Sequence, residues 1–187
     1  DIDVVTKGKT ERGTIELSGK STPFDVRTFA IPTQVVLDPE NKILRDSPEL
    51  QIAVQISRGN DLRQRGEYVE AIRAYENALK LNPRKSLAHF WMAETFYQQF
   101  NLQAAANSFR DALNGDKDPK WIEVWSYIYL GKIYDILSQR QRAMAEYNKA
   151  LNTKDDFNGA QAEAKKWLDA PFTRERTVTE KEAKQPN

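Results

Sequence analysis

Two hydrophobic periods divide the chain. In residues 1 to 46 apolar positions recur every second residue, at Ile2 and Val4, at Ile15 and Leu17, and at Phe24 and Val26 with Thr28 continuing the run. A period of two puts successive apolar side chains on one face of a β-strand. "KGKTERG" and "SGKSTP" separate these runs and read as turns, so the pattern predicts antiparallel strands spaced as in a sandwich. In "PTQVVLDPENKILRD" it predicts a strand over Gln34 to Asp38, a turn at Asp38 to Asn41 and a short extended piece at Ile43-Leu44. Val35 and Leu37 fall on one side of that strand and Val36 on the other, so it expects cover on both. Three or four strands with so few large apolar residues make a weak domain by themselves. Residues 1 to 45 are therefore expected to be partly disordered, swapped with a second copy, or packed on a neighbour, and an exposed edge invites self-association.

From Ser47 the period becomes three and four, as in Ile72, Tyr75, Ala78 and Leu79, which is the stripe of an amphipathic helix. Ser47-Pro48 offers an N-cap and a first-turn proline. Gly66 separates two helices and Asn82-Pro83 separates two more. Asp118-Pro119 predicts another cap-and-proline start, for a helix running to about Leu137. After Leu151, "DDFNGAQAEAKKWLDAPF" supports a further helix with Ala160, Ala164, Trp167 and Leu168 as its apolar stripe. Asp155-Asp156 reads as its cap. From Thr173 the chain is charged and aperiodic, and disorder is expected.

The helical part repeats itself. Ala71, Ala105 and Ala143 correspond, as do Tyr75, Phe109 and Tyr147, and Ala78, Ala112 and Ala150. The spacings are 105 − 71 = 34 and 143 − 105 = 38, the second lengthened by "GDKDPKW". In the preceding helices a small residue recurs at Gly59, Ala93 and Gly131, with a large one three later at Leu62, Phe96 and Tyr134. Small residues let two helices cross closely while the aromatic fills the gap beside them. Neither helix of a pair can bury its apolar face alone, so the pairs must stack.

This period and this small-aromatic-small signature resemble the tetratricopeptide repeat (TPR), over roughly residues 48 to 152, with Pro83 as the family's closing proline. The resemblance implies a mainly α architecture. Three TPR helix pairs (47 to 152) would form an α-solenoid, closed by a capping helix (153 to 172), preceded by a small β segment (1 to 46) and followed by a disordered tail (173 to 187). It also implies a concave face, lined by the first helix of each pair, that holds a peptide or protein segment. Counting from the family's small residue, the inward positions are Ile56, Asn60 and Arg63, then Phe90, Trp91, Glu94, Tyr97 and Gln98, then Trp125, Ile128, Tyr129, Lys132 and Asp135. The chaperone-binding subfamily grips a terminal carboxylate with Lys and Asn in its first repeat, Asn in its second, and Lys and Arg in its third. Here only Asn60 sits at such a place, with Ile56, Trp91, Trp125 and Tyr129 at the others. An aromatic face of this kind suits apolar anchors in a peptide or helix. Trp and Tyr also serve as half-buried packing residues, so an open groove and one filled by the chain's own terminal segments both remain.

Composition removes several other classes. The net charge is +1 over 187 residues, without the clustered Lys and Arg of a nucleic-acid surface. No apolar stretch is long enough to insert in a membrane. There are no cysteines, so disulfides and thiolate metal sites are excluded. The one histidine, His89, has no companion ligands and falls where a side chain faces the partner helix, which makes it structural. No phosphate loop, nucleophile elbow or H-E-x-x-H is present, so neither catalysis, metal nor cofactor is expected.

"DIDVVTKGKTERGTIELSGKSTPFDVRTFAIPTQVVLDPENKILRD" resembles the end of the β-sandwich domain in gluzincin zinc aminopeptidases of the aminopeptidase-N type, through Pro32, Val35, Leu37, Asp38, Pro39, Ile43 and Leu44. Some bacterial members close that domain with such a strand. The resemblance implies a piece from the C-terminus of a larger bacterial hydrolase, consistent with a chain that starts at Asp1 without a signal-like segment. It carries over no catalytic residue. It would place the protein outside the cytoplasm or in the periplasm, and otherwise the cytoplasm is expected. Two functions follow. One is a module that binds a peptide or protein in an aromatic groove. The other is a structural or assembly appendage of a metallopeptidase.

Overall fold

A computed structural model describes residues 1–16, 21–40 and 47–174. The chain forms two compact units, Asp1–Asp46 and Ser47–Asn187. In the first, β1 (Ile2–Thr6), β2 (Lys9–Gly13) and β3 (Pro32–Leu37) make an antiparallel sheet in the order β2-β1-β3. Ile2 and Val4 are buried, and opposite them stand Leu37 and Val35 of β3, each about half exposed. Val36, across from Asp3, is partly buried. On that side Arg12 of β2 grips the Asp3 carboxylate at 2.7 and 2.9 Å and also pairs with Glu40. The Arg12 hydrogen bonds hold the Asp3 carboxyl below its usual range.

Several strand expectations are corrected. "KGKTERG" turns only at Lys7-Gly8, and its remainder is β2. Polar side chains do not prevent this, because the backbone ladder and the Arg12–Asp3 pair across it do the holding. Ile15 lies outside any strand, and Phe24, Val26 and Thr28 run irregularly with both apolar members exposed. Alternation states which face a strand would bury, but a strand also needs a ladder partner, and Phe24, Val26 and Thr28 pair with none of β1, β2 and β3. Among the described residues there is one sheet and no second layer. β3 spans Pro32–Leu37, one residue short of the expected end; Asp38 (φ 50) bends away while its N–H still donates to the Asp1 carbonyl at 2.9 Å. Leu17, Asn41, Ile43, Leu44 and Arg45 lie outside the described residues.

The second unit contains α1 (Pro48–Gln64), α2 (Tyr68–Leu81), α3 (Ser86–Gln98), α4 (Leu102–Asn114), α5 (Trp121–Ile136), α6 (Arg140–Thr153) and α7 (Ala160–Asp169). Ser47 caps α1 as expected, its hydroxyl accepting from the Leu50 N–H at 3.2 Å with Pro48 in the first turn. The expected cap at Asp155-Asp156 is corrected: a turn at Phe157–Gly159 intervenes and Gly159 is the residue that opens α7, while the two carboxylates accept from Phe157 N–H at 2.9 Å and Gln161 N–H at 3.0 Å. The helices pack as three antiparallel pairs with α7 against α5 and α6. All nine repeat positions of the second helices, from Ala71 to Ala150, are buried. At Gly59 and Gly131 an added Cβ would stand 2.4 and 2.3 Å from the rings of Tyr75 and Tyr147, so the rings lie directly on the first-helix backbone.

The longer link between pairs two and three is a tied structure. Asp116 accepts from the N–H groups of Ser86 and Asp118, both at 3.1 Å, and receives the Lys85 ammonium at 3.2 Å. Ser86 bonds the Ala112 carbonyl at 2.7 Å and accepts from Lys117 N–H at 2.8 Å. A Cβ at Gly115 would meet the Arg84 carbonyl at 2.6 Å, so only glycine fits. The expected cap at Asp118 is therefore corrected: Asp118 takes Lys85 at 3.1 Å, and α5 starts at Trp121. His89 serves the turn before α3: its Nε2 lies 3.0 Å from the Pro83 carbonyl there.

Candidate functional site

The first helices touch one another in sequence, α1 with α3, α3 with α5, and α5 with α7, so together they build one inner face. A ladder of alternating charge crosses it. Arg63 of α1 pairs with Glu94 of α3 at 3.3 Å, and Lys132 of α5 pairs with Glu163 of α7 at 2.6 Å. Aromatic rings stand between these pairs. The Arg63 guanidinium lies 5.0 Å from the centre of the Trp91 ring, and the Tyr129 hydroxyl donates to Glu94 at 3.2 Å. The Lys132 ammonium is ringed by Tyr129, Trp167 and Phe172 at 5.6, 5.9 and 5.2 Å, a strongly cation-stabilising surround. Burial opposes ionisation of Glu163, but hydrogen bonds from Lys132 and Trp167 outweigh it and hold the carboxyl below its usual range. Burial pushes the Tyr97 hydroxyl up to about 12, and burial together with Glu94 pushes Tyr129 well above its ordinary value.

The positions read from the sequence separate into three groups. Ile56, Phe90 and Ile128 are core residues. Ile128 packs with Val124, Ala150, Ala160 and Ala164, because α7 stacks on that side of α5. Phe90 lies edge-on to Trp91, Phe109 and Trp121. Asn60, Trp91 and Glu94 form the half of the face toward α1. There a cleft of about 420 Å³ opens, lined by Glu49, Ile52, Ala53, Ile56, Ser57, Asn60, Asn82, Lys85 and Leu87. Tyr97, Trp125, Tyr129 and Lys132 form the other half, and the chain's own later residues cover much of it. The Trp125 indole donates to the Phe157 carbonyl at 3.1 Å, and the Phe157 ring stacks on Trp121 at 5.5 Å. Arg174 sits over Tyr97 at 5.9 Å. A uniformly open groove over all three repeats is thus not what these residues form.

Asp135 is the hub of the covered half. Its side chain is 1% exposed and accepts from Arg140 at 3.0 and 3.1 Å, from the Tyr147 hydroxyl at 3.0 Å and from the Phe172 N–H at 2.8 Å. Arg140, Glu163, Phe172 and Arg174 were not legible as site residues. All but Arg140 lie beyond the last repeat, where no periodicity assigns a facing. Arg140 sits at the start of α6, outside the small-aromatic-small positions.

A family model described as TPR repeat matches residues 59–99. A TPR repeat-containing protein of Methanocaldococcus jannaschii is 23% identical over 122 residues, which are 65% of this chain and 37% of that protein. The chain thus matches little more than a third of that relative's length. Among solved structures, the Arabidopsis OM64 TPR domain superposes with a TM-score of 0.56 at 22% identity, covering 67% of this chain and 100% of that domain. The second TPR domain of human RPAP3, solved in complex with the HSP70 peptide SGPTIEEVD, gives 0.54 at 18% identity, covering 64% and 97%. The helical unit therefore has the fold of a TPR solenoid. The family model falls on helical residues and does not show the peptidase resemblance of residues 1 to 46. Among the described residues no helix is long and apolar enough to cross a membrane.

Proposed function

We propose that the helical unit is a protein-interaction module that takes a peptide or protein segment on its inner face. The observation that carries this is the cleft between α1 and α3. Its floor is apolar at Ile52, Ile56 and Leu87, its rim is polar at Glu49, Asn60 and Lys85, and Trp91 packs against the same cluster. Apolar floor, polar rim and a neighbouring Trp are the features of a site that anchors one large side chain. The peptide complex of the RPAP3 domain supports the class of function. Its acidic peptide does not transfer, because this face offers Asn60 alone of the carboxylate-gripping set.

Selection of peptides from a random library on the full chain, followed by fluorescence anisotropy, tests the reading. Bound peptides are expected to share a large apolar residue. Replacing Ala53, an exposed cleft residue, with Arg should abolish binding and leave the fold intact. Trp91→Ala should weaken binding by about 2 kcal/mol, the scale of a hot spot. Equal binding by both variants, or no selected peptide at all, would refute the proposal.

A further inference from the structure

The last described residues behave as a ligand of the molecule they belong to. α7 ends at Asp169, and Ala170 is extended (φ −137, ψ 144). Arg140 holds this exit by donating to the Trp167 and Leu168 carbonyls at 2.8 and 2.6 Å. Pro171 to Arg174 then reach helices α5 and α3 without regular structure of their own. Three kinds of contact fix them. The Phe172 N–H donates to the buried Asp135 carboxylate at 2.8 Å. The Phe172 ring stands edge-on to Trp167 at 4.9 Å, beside the Lys132 ammonium. Two residues on, the Arg174 guanidinium lies over Phe100 at 5.0 Å and Tyr97 at 5.9 Å and donates to the Gln98 carbonyl at 3.4 Å. A main-chain bond, an aromatic anchor and a cation over rings are the parts of extended-peptide recognition.

Phe100 strengthens the argument from an independent direction. It occupies the turn between α3 and α4 at φ 60, where the corresponding positions of the other repeats are Gly66 and Ser138. A bulky side chain is disfavoured in this left-handed conformation. The residue is also 49% exposed, so burial does not compensate. Backbone strain at an exposed aromatic points to contact rather than packing.

We propose that Pro171–Arg174 is an internal strap occupying a peptide site, and that the surface beneath it accepts from a partner an extended segment with an aromatic residue two positions before an arginine. The inference rests on the reading of the inner face as a peptide-binding surface. A tethered strap acts at an effective concentration on the order of millimolar, so a competing segment meets a weakened site until the strap is released.

The probe is the labelled synthetic peptide DAPFTR, the chain's own residues 169–174, added in trans to full-length protein and read by anisotropy. The strap-released variant Phe172→Ala/Arg174→Glu should bind it at least about tenfold more tightly than the unaltered chain. The peptide with Arg replaced by Glu should not bind. Adding Phe100→Gly to the released variant, which removes the ring and relieves the turn, should abolish binding while the melt is unchanged. Hydrogen exchange keeps the proposal testable should the released variant misfold. In the unaltered chain, millimolar DAPFTR should accelerate exchange of the Phe172 amide by displacing it from Asp135. A folded released variant that ignores DAPFTR, equal binding with and without the strap, or unchanged Phe172 exchange would overturn the inference. If DAPFTR fails while library peptides still bind at the α1–α3 cleft, only the strap falls. If both fail, the interaction reading falls with it.

Discussion

Repeats one and three close differently from repeat two. In the outer repeats a tyrosine ring lies on a glycine of the first helix, and its hydroxyl bonds a polar residue of that same helix: Tyr75 to Asn60 at 2.8 Å, Tyr147 to Asp135 at 3.0 Å. In repeat two the pair is Ala93 and Phe109, and Phe109 has no hydroxyl to place. Its ring stacks on Tyr129 of the next pair at 4.9 Å, with planes 10° apart. Glu94, one residue after Ala93 as Asn60 is one after Gly59, is bonded by that same Tyr129. The outer repeats therefore lock their own two helices together, while the middle repeat uses the same positions to couple to its neighbour. One small-aromatic signature serves two energetic purposes, and the choice of phenol or phenyl decides which.

Removing the aromatic of the coupling repeat should have the largest effect. Phe109→Ala should destabilise the helical unit by about 3–5 kcal/mol in denaturant unfolding, since it leaves a cavity and removes the ring stacked on Tyr129. A loss below that of Tyr75→Ala, measured in parallel, would break the claim that repeat two couples its neighbours. Next comes Gly131→Ala. Alanine is the better helix former, by about 1 kcal/mol. The added Cβ nevertheless falls among ring atoms of a buried Tyr147 anchored at Asp135, so a net loss of about 1–3 kcal/mol is expected. Ala93 already shows that repeat two accepts that methyl. A stabilised Gly131→Ala chain would mean the ring can move.

Removing one hydroxyl sharpens the comparison between the two outer repeats. Tyr147→Phe takes a donor from the buried carboxylate of Asp135 and should cost about 1.5–3 kcal/mol, whereas Tyr75→Phe loses a neutral partner and should cost about 1 kcal/mol. The phenols themselves titrate out of reach of ordinary buffers: burial pushes Tyr75 up to about 12 and, with Asp135, Tyr147 higher still. Thermal melts at neutral pH suffice to rank the two variants.

The smallest effect concerns the link after repeat two. Burial works against ionisation of Asp116, but the N–H groups of Asp118 and Ser86 and the Lys85 ammonium more than offset it and hold the carboxyl below its usual value. A depressed folded pKa contributes stability that is present above the unfolded value and lost as pH falls through the folded one. The melting advantage of the unaltered chain over Asp116→Asn should hold near neutrality and shrink below about pH 4. An advantage that persists in acid would show that the link is held by its shape rather than its charge.

The sequence by itself determined the helices, the register of three pairs and the nine buried positions of their second helices. Small and aromatic residues at a fixed spacing fix which faces of two paired helices meet, whatever the ring then touches. It also determined the cap at Ser47, because a hydroxyl before a first-turn proline finds its N–H three residues on. Tertiary structure decided the rest. "KTERG" became a strand because it pairs with β1, whereas the alternation at Phe24 and Val26 finds no ladder partner among the three strands. The inner face was legible only as a list of inward positions. That Ile128 turns into core beneath α7, that Asp135 collects donors from Arg140, Tyr147 and Phe172, and that Phe172 and Arg174 reach α5 and α3 rest on contacts between residues as far as 76 positions apart. Periodicity reports which side of an element is apolar. It carries no information about which distant segment will arrive to cover it.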